Sequence, residues 1–357
     1  LVLSGFNNNI ENNRFINNNA TTAGGAIYIQ NENNTIRKNI FTHNNAKTTG
    51  GAIRIEDGEK TLITENSFTE NTAASTGGAI YISHDHTTVT NNQFVKNTAT
   101  SGGAIRIENG NQATIKDNTF TENLGNEMGG AIFISGNRTK ILNNKFAENS
   151  AKNSAGAVRI EGNTAQITEN DFNNNKALTT LGGALLIIGE NNQITNNNFT
   201  KNTATTNGGA IYLQKENNTI TNNQFTQNTA TNGGAIRIEN GNTATITNNA
   251  FTNNNANDMG GAIYLSGDNS NINNNQFVEN TATNSGGAVR IEGNTAQITN
   301  NNFEKNKATK TLGGALLIIG ENDQIRNNNF TQNTATTTGG AIYLQKENNT
   351  ITNNQFT

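Results

Sequence analysis

A column of aromatic and guanidinium side chains is the first feature of this chain that could do chemistry. Tyr28, Arg54, Tyr81, Arg106, Phe133, Arg159, Tyr212, Arg237, Tyr264, Arg290 and Tyr343 each sit between two aliphatic residues, and Leu186 and Leu317 fill the two places where the alternation lapses. Successive members of the column are 25 to 27 residues apart. Glu56, Glu108, Glu161, Glu239 and Glu292 follow the arginines by two residues. Rings and guanidinium groups one strand spacing apart can stack, at roughly 0.5–1 kcal/mol per exposed contact. Such a column is either a ladder that satisfies itself or a docking strip for a glycan or a protein, since aromatic and Arg groups are common anchors.

Catalysis on a polysaccharide would ask for clustered carboxylates and a basic group at one irregular place. The aspartates (57, 85, 117, 171, 258, 268 and 323) are instead scattered over turns. Residues 77–207 are also nearly copied into 208–338, which argues against one crafted site. The expectation is therefore a protein that is not an enzyme, with no catalytic residue, no cofactor and no metal; a polysaccharide-acting lyase or hydrolase is the alternative. His84-Asp85-His86 is the one metal-like cluster, but it lies in a polar turn, and adjacent residues alone rarely close a site. Its copy at 215–217 reads Lys-Glu-Asn. Thr-x-Thr pairs such as Thr219/Thr221 suggest an ice-binding array, which Lys116, Leu142 and Gln193 interrupt.

The elements that must position the column are repeats. Gly-Gly-Ala or a near relative recurs from Gly24 to Gly339, and the stretch 208–226 returns unchanged at 339–357, an offset of 131 residues. Phenylalanine keeps the same time from Phe15 to Phe356, always with Asn two residues before, and with Asn three residues after wherever the chain continues. A period this tight signals a repeat architecture, in which each unit buries its core only against its neighbours. The apolar runs alternate with period two and are short, which suits strands. In Gly-Gly-Ala-Ile-Arg-Ile-Glu, Ile53 and Ile55 face one way and Arg54 and Glu56 the other. The fold expected is all-β: a single-stranded parallel β-helix of 13–14 coils of 25–27 residues, three short strands per coil. It runs through 1–357 as one continuous segment of a longer chain, with a five-coil super-repeat at 77–207 and 208–338 and a partial copy at 339–357. Asparagine suits the corners because it tolerates left-handed backbone, and inward amides could bond from coil to coil as ladders.

Gly-Gly-Ala-Ile alternating with Phe-x-x-Asn, as at Gly77–Ile80 and Phe94–Asn97, resembles the motif pair of the chlamydial polymorphic membrane proteins. It is also similar to the Asn/Thr-rich adhesin-like surface proteins of methanogenic archaea. The resemblance implies a right-handed parallel β-helix displayed at the cell surface and used in adhesion. This chain departs from those families in having no Cys, no Pro and no C-terminal membrane barrel within these residues.

Charge and hydropathy bound the partners. A formal net charge of −3 with no basic stripe argues against nucleic acid. The longest apolar run, Ala184 to Ile188, is too short to span a bilayer. The expectation is an extracellular structural or adhesive stalk or fibre, meeting cell-surface glycan or protein, or itself end to end or side by side. Leu186, Ile188, Leu317 and Ile319 are expected to project from the strip face, either as lateral docking points or as aliphatics copied by duplication.

Overall fold

The glycine pair that opens each repeat fixes where the chain turns. Gly77 has φ +65°, and a Cβ on it would stand 2.3 Å from the carbonyl oxygen of Ile80. A Cβ on Gly78 would lie 2.0 Å from the carbonyl oxygen of Gly103, one turn on. The first glycine thus supplies left-handed backbone, and the second lets successive turns approach without a side chain between them. Ala155 stands in the first position of its turn and keeps the left-handed backbone, with φ 59°.

The computed structural model describes residues 1–57 and 59–357. It is an all-β parallel solenoid of about fourteen turns, and each turn gives one strand to each of three sheets. Among the described residues there is no helix, and so none long and apolar enough to cross a membrane. In the first sheet, Ile53–Ile55, Ile80–Ile82 and Ile105–Ile107 pair in register, with Tyr81 opposite Arg54 and Arg106. In the second, Leu62–Thr64, Thr88–Thr90 and Thr114–Lys116 pair the same way. The third aligns Phe68, Phe94 and Phe120. A shorter fourth sheet, with strands such as Thr72–Ala73 and Thr98–Ser101, closes most turns and was not foreseen.

Two compact units divide the chain: Leu1–Leu178 with Ala184–Leu186, and Thr179–Gly183 with Ile187–Thr357. In the first, the rings from Phe15 to Phe172 form one stack, with centroids 4.7–4.9 Å apart and planes within 7°. In the second, Phe199 to Phe356 do the same at 4.8–5.1 Å. The spacing is that of neighbouring strands, so parallel in-register pairing alone places ring on ring.

Asparagine ladders flank the Phe stack in both units. Asn92 donates from its backbone N (2.9 Å) and its Nδ2 (3.1 Å) to Asn118 Oδ1. Its Nδ2 also donates to the carbonyls of Ile63 and Thr90, both at 2.9 Å. Asn97 repeats the pattern towards Asn123. A buried amide is costly only when unpaired, and here each amide is shared between turns.

The left-handed corners, however, belong to the residue before each ladder asparagine. Asn91 (φ 55°) precedes Asn92 and Lys96 (φ 54°) precedes Asn97, while Glu122 and Gln227 do the same elsewhere. Asparagine takes this left-handed backbone at many corners, as expected (Asn91, Asn196 and Asn222 among them), but Lys, Glu and Gln take it at others. The backbone N of Lys96 donates to the carbonyl of Thr121 at 3.0 Å. That bond between turns holds a conformation that a lysine would otherwise avoid.

Candidate functional site

The aromatic–guanidinium column lies on the outer face of the first sheet, as its register requires. Each arginine reaches a ring. Arg237 lies 3.8 Å above the Tyr264 ring and Arg290 lies 5.3 Å from it. Arg106 and Arg159 flank Phe133 at 3.8 and 5.3 Å, and Arg54 sits 5.9 Å from Tyr28 and 4.8 Å from Tyr81. The glutamates close the network. Tyr264 Oη donates to Glu292 Oε1 at 2.6 Å, and Arg290 donates to the same oxygen from Nε (3.0 Å) and Nη2 (2.6 Å). Tyr81 donates likewise to Glu108, and Tyr212 to Glu239.

Burial raises the pKa of Tyr264, and its bond to Glu292 adds to the rise. Tyr81 is pushed up to about 12 by burial and by Glu108. For Glu292 burial alone would raise the pKa, but the hydrogen bonds from Tyr264 and Arg290 outweigh it and leave the carboxyl lowered. These groups therefore rest in one charge state near neutrality.

The strip is also less exposed than expected. Tyr212 is 2% exposed, and Tyr81, Arg106, Phe133, Arg237 and Tyr264 are all buried; Tyr28, Arg54, Arg159, Arg290 and Tyr343 are half-buried. The cause is the segment before the glycines, which the left-handed turn folds back over the face. Arg54 donates to Thr49 Oγ1 at 2.5 Å, and Arg159 and Arg290 donate to the Ser154 and Ser285 hydroxyls at 2.9 Å. Parallel bridges Thr49–Thr76 and Thr76–Ser101 run this segment along the column. For the same reason Leu186 and Leu317 are buried, at 2%, and do not project as docking points. Only Ile188 and Ile319 remain partly exposed, so the four residues do not form two exposed apolar patches.

The histidine cluster is engaged by the turns on either side of it. His84 Nδ1 lies 2.7 Å from the carbonyl of Glu56, His86 Nδ1 lies 3.2 Å from Glu59 Oε1, and Asp85 Oδ1 accepts from the backbone N of Asn111 at 2.7 Å. Among the described residues no group of three or more His, Cys, Asp or Glu is placed to hold a metal ion.

One feature escaped the sequence reading, which found no basic stripe. On the second sheet of the first unit, His86, Arg138 and Lys140 line one groove of ≈450 Å³. Its charges are 52 to 54 residues from His86 in the chain and so look unrelated there. Aligning the two 131-residue copies was the signal that could have found them, because only the first copy is charged at these places.

A family model described as "Right handed beta helix region" matches the chain in four overlapping stretches, 1–94, 25–197, 103–277 and 183–356. No curated protein sequence matches it, so the adhesin-like resemblance rests on the motifs alone. Among solved structures, it is similar to the DFA-IIIase from Arthrobacter chlorophenolicus A6 in complex with GF2, at 12% identity, a TM-score of 0.49 and 84% coverage of each chain. It is also similar to the Dettilon tailspike protein, at 13% identity and a TM-score of 0.38, covering 89% of this chain and 62% of that one. Likeness at this level concerns the fold. The first of these proteins is an enzyme by its name, and this corrects the expectation that the chain is not an enzyme: a solenoid of this kind does not exclude catalysis.

Proposed function

The chain belongs to the right-handed β-helix family, and from that premise we propose that it is part of an extracellular stalk whose polar faces meet cell-surface glycan or protein. The observation that carries the reading is where its polar groups lie. The asparagines at the ladder positions are turned inward and consumed by the ladders, as in Asn223, whose Nδ2 donates to Asn249, Ile194 and Thr221 at 2.8–3.0 Å. The aromatic–guanidinium column is likewise spent on itself. What faces solvent is a succession of Thr, Asn, Gln, Lys and Glu repeated at one strand spacing, which suits many weak contacts along a chain-like partner. The motif resemblance to surface adhesins supports the same reading.

The test is antibody labelling of the native protein on intact and on permeabilised cells of the source organism. Labelling of intact cells is expected. Labelling that appears only after permeabilisation overturns the extracellular reading.

A further inference from the structure

We propose that the groove on the second sheet of the first unit binds a linear acidic oligosaccharide, with Arg138 and Lys140 as its anion-binding pair. The proposal rests on the surface reading above for its ligand class, and on three observations of its own.

The first is charge without a partner. Arg138 and Lys140 are both exposed at the groove, and among the described residues neither makes an ion pair or a side-chain hydrogen bond. The neighbouring basic side chains differ: His86 Nδ1 lies 3.2 Å from Glu59 Oε1, and Lys116 lies 3.6 Å from Asp117. No acid lines the groove. A free guanidinium beside a free ammonium suits a carboxylate or a sulfate. The planar fork of Arg can grip two oxygens while Lys adds a point charge.

The second is the shape of the surroundings. Arg138 is the left-handed corner residue of its turn, at φ 56°, in line with His86 (57°), Gln112 (57°) and Thr164 (56°) on the turns before and after. Lys140 pairs with Thr114 on one side and Gln166 on the other. The cationic turn is thus bracketed by amides and hydroxyls, over three strand spacings or ~14 Å. A ligand that carries an anion flanked by hydroxyl groups along one direction matches this order. No Phe, Tyr or Trp lines the groove to stack successive bases, which sets it apart from single-stranded nucleic acid sites.

The third is an internal control. In the second unit the same corner positions are Asn217 (φ 57°), Thr243 (56°), Asn269 (55°) and Thr295 (57°), so the backbone is retained. Asn269 and Asn271 stand where the first unit has Arg138 and Lys140, and Thr247 stands for Lys116. The fold therefore does not need these cations, and their presence in one copy is a property of the surface.

The experiment titrates the full chain with fluorescent oligogalacturonate, a sulfated oligosaccharide, neutral oligogalactose and a single-stranded DNA of matched charge. One of the two acidic oligosaccharides is expected to bind at one site per chain, more weakly as salt is raised, and which one binds identifies the anion. Arg138→Asn with Lys140→Asn, the residues the second unit already carries, should weaken binding by about tenfold or more. Asn269→Arg with Asn271→Lys should add a second equivalent. Absence of binding to both acidic probes, unchanged affinity in the double variant, or DNA or oligogalactose binding as tightly would overturn the proposal. None of these outcomes depends on where the protein sits in the cell, so this reading and the surface reading fail separately.

Discussion

Asp323 stands where the earlier copy of its turn has Asn192, at the third inward corner of the coil. In some turns that corner is a ladder amide, in others Thr, Ala or Ser: Asn192 Nδ2 donates to Asn218 Oδ1 at 3.0 Å, and Asn349 Nδ2 donates to the carbonyls of Gly320 and Lys346 at 3.2 and 3.1 Å. Asp323 is fully buried and keeps only half of the pattern. Its Oδ1 accepts from the backbone N of Ala296 at 2.7 Å, while its Oδ2 has no partner among the described residues. Burial pushes its carboxyl up to about 6, against the hydrogen bond from Ala296 and with small help from Asp268 and Glu321. The folded state thus holds this proton more tightly than the unfolded chain, whose carboxyl titrates at about 3.9. Stability from this group is fully present below pH ~4 and is lost as the pH rises to about 6, by roughly 3 kcal/mol. Asp323→Asn should remove that loss and leave the variant more stable than the wild type above pH ~6. Chemical denaturation of both proteins across this range checks it, and parallel curves would show that the carboxyl has no such role.

Within the elements, stability resides in stacks one residue wide and many turns long. Phe225 lies fully buried between Phe199 and Phe251, 4.9 and 4.8 Å away. Phe225→Ala should cost about 3–5 kcal/mol, because rigid neighbouring turns cannot collapse into the space. Tyr212 faces the other way on its sheet yet is covered, so Tyr212→Ala should approach that loss; a cost under about 1 kcal/mol, read from denaturant midpoints, would show that its cover carries no packing.

Phe225, the ladder asparagines and the inward isoleucines were legible in the sequence because one period assigns every residue to a face, and parallel pairing then brings like over like. The cover over Tyr212 was not legible, since it depends on a left-handed glycine turning Thr- and Ser-bearing linkers back across the sheet. Nor was the left-handed corner at Lys96, which a bond from the next turn sustains against the residue's own preference. The Arg138 groove needs residues from four turns and shows only when the turns are laid side by side.

For the chain as a whole, nearly every strand pairs only with strands 25–27 residues away, so no long loop closes before its contacts form. Each turn then depends on its neighbours and on nothing more remote, which makes stability a sum of local and nearest-neighbour parts. In the terminal turn the consequences are visible in burial. Ile351 is 46% exposed and Phe356 51%, whereas Ile325 and Phe330, one turn earlier, are at 0% and 1%. A chain of these 357 residues should therefore open from its termini, with interior turns held by both neighbours. Native-state hydrogen exchange should show the fastest amides at Val2–Leu3 and Gln355–Phe356 and rising protection over the next turns inward. Phe330→Ala should speed exchange in the last two turns and leave amides near Phe68 unchanged. Uniform protection along the chain, or an equal response at Phe68, would mean that the turns open together and that the nearest-neighbour account is wrong.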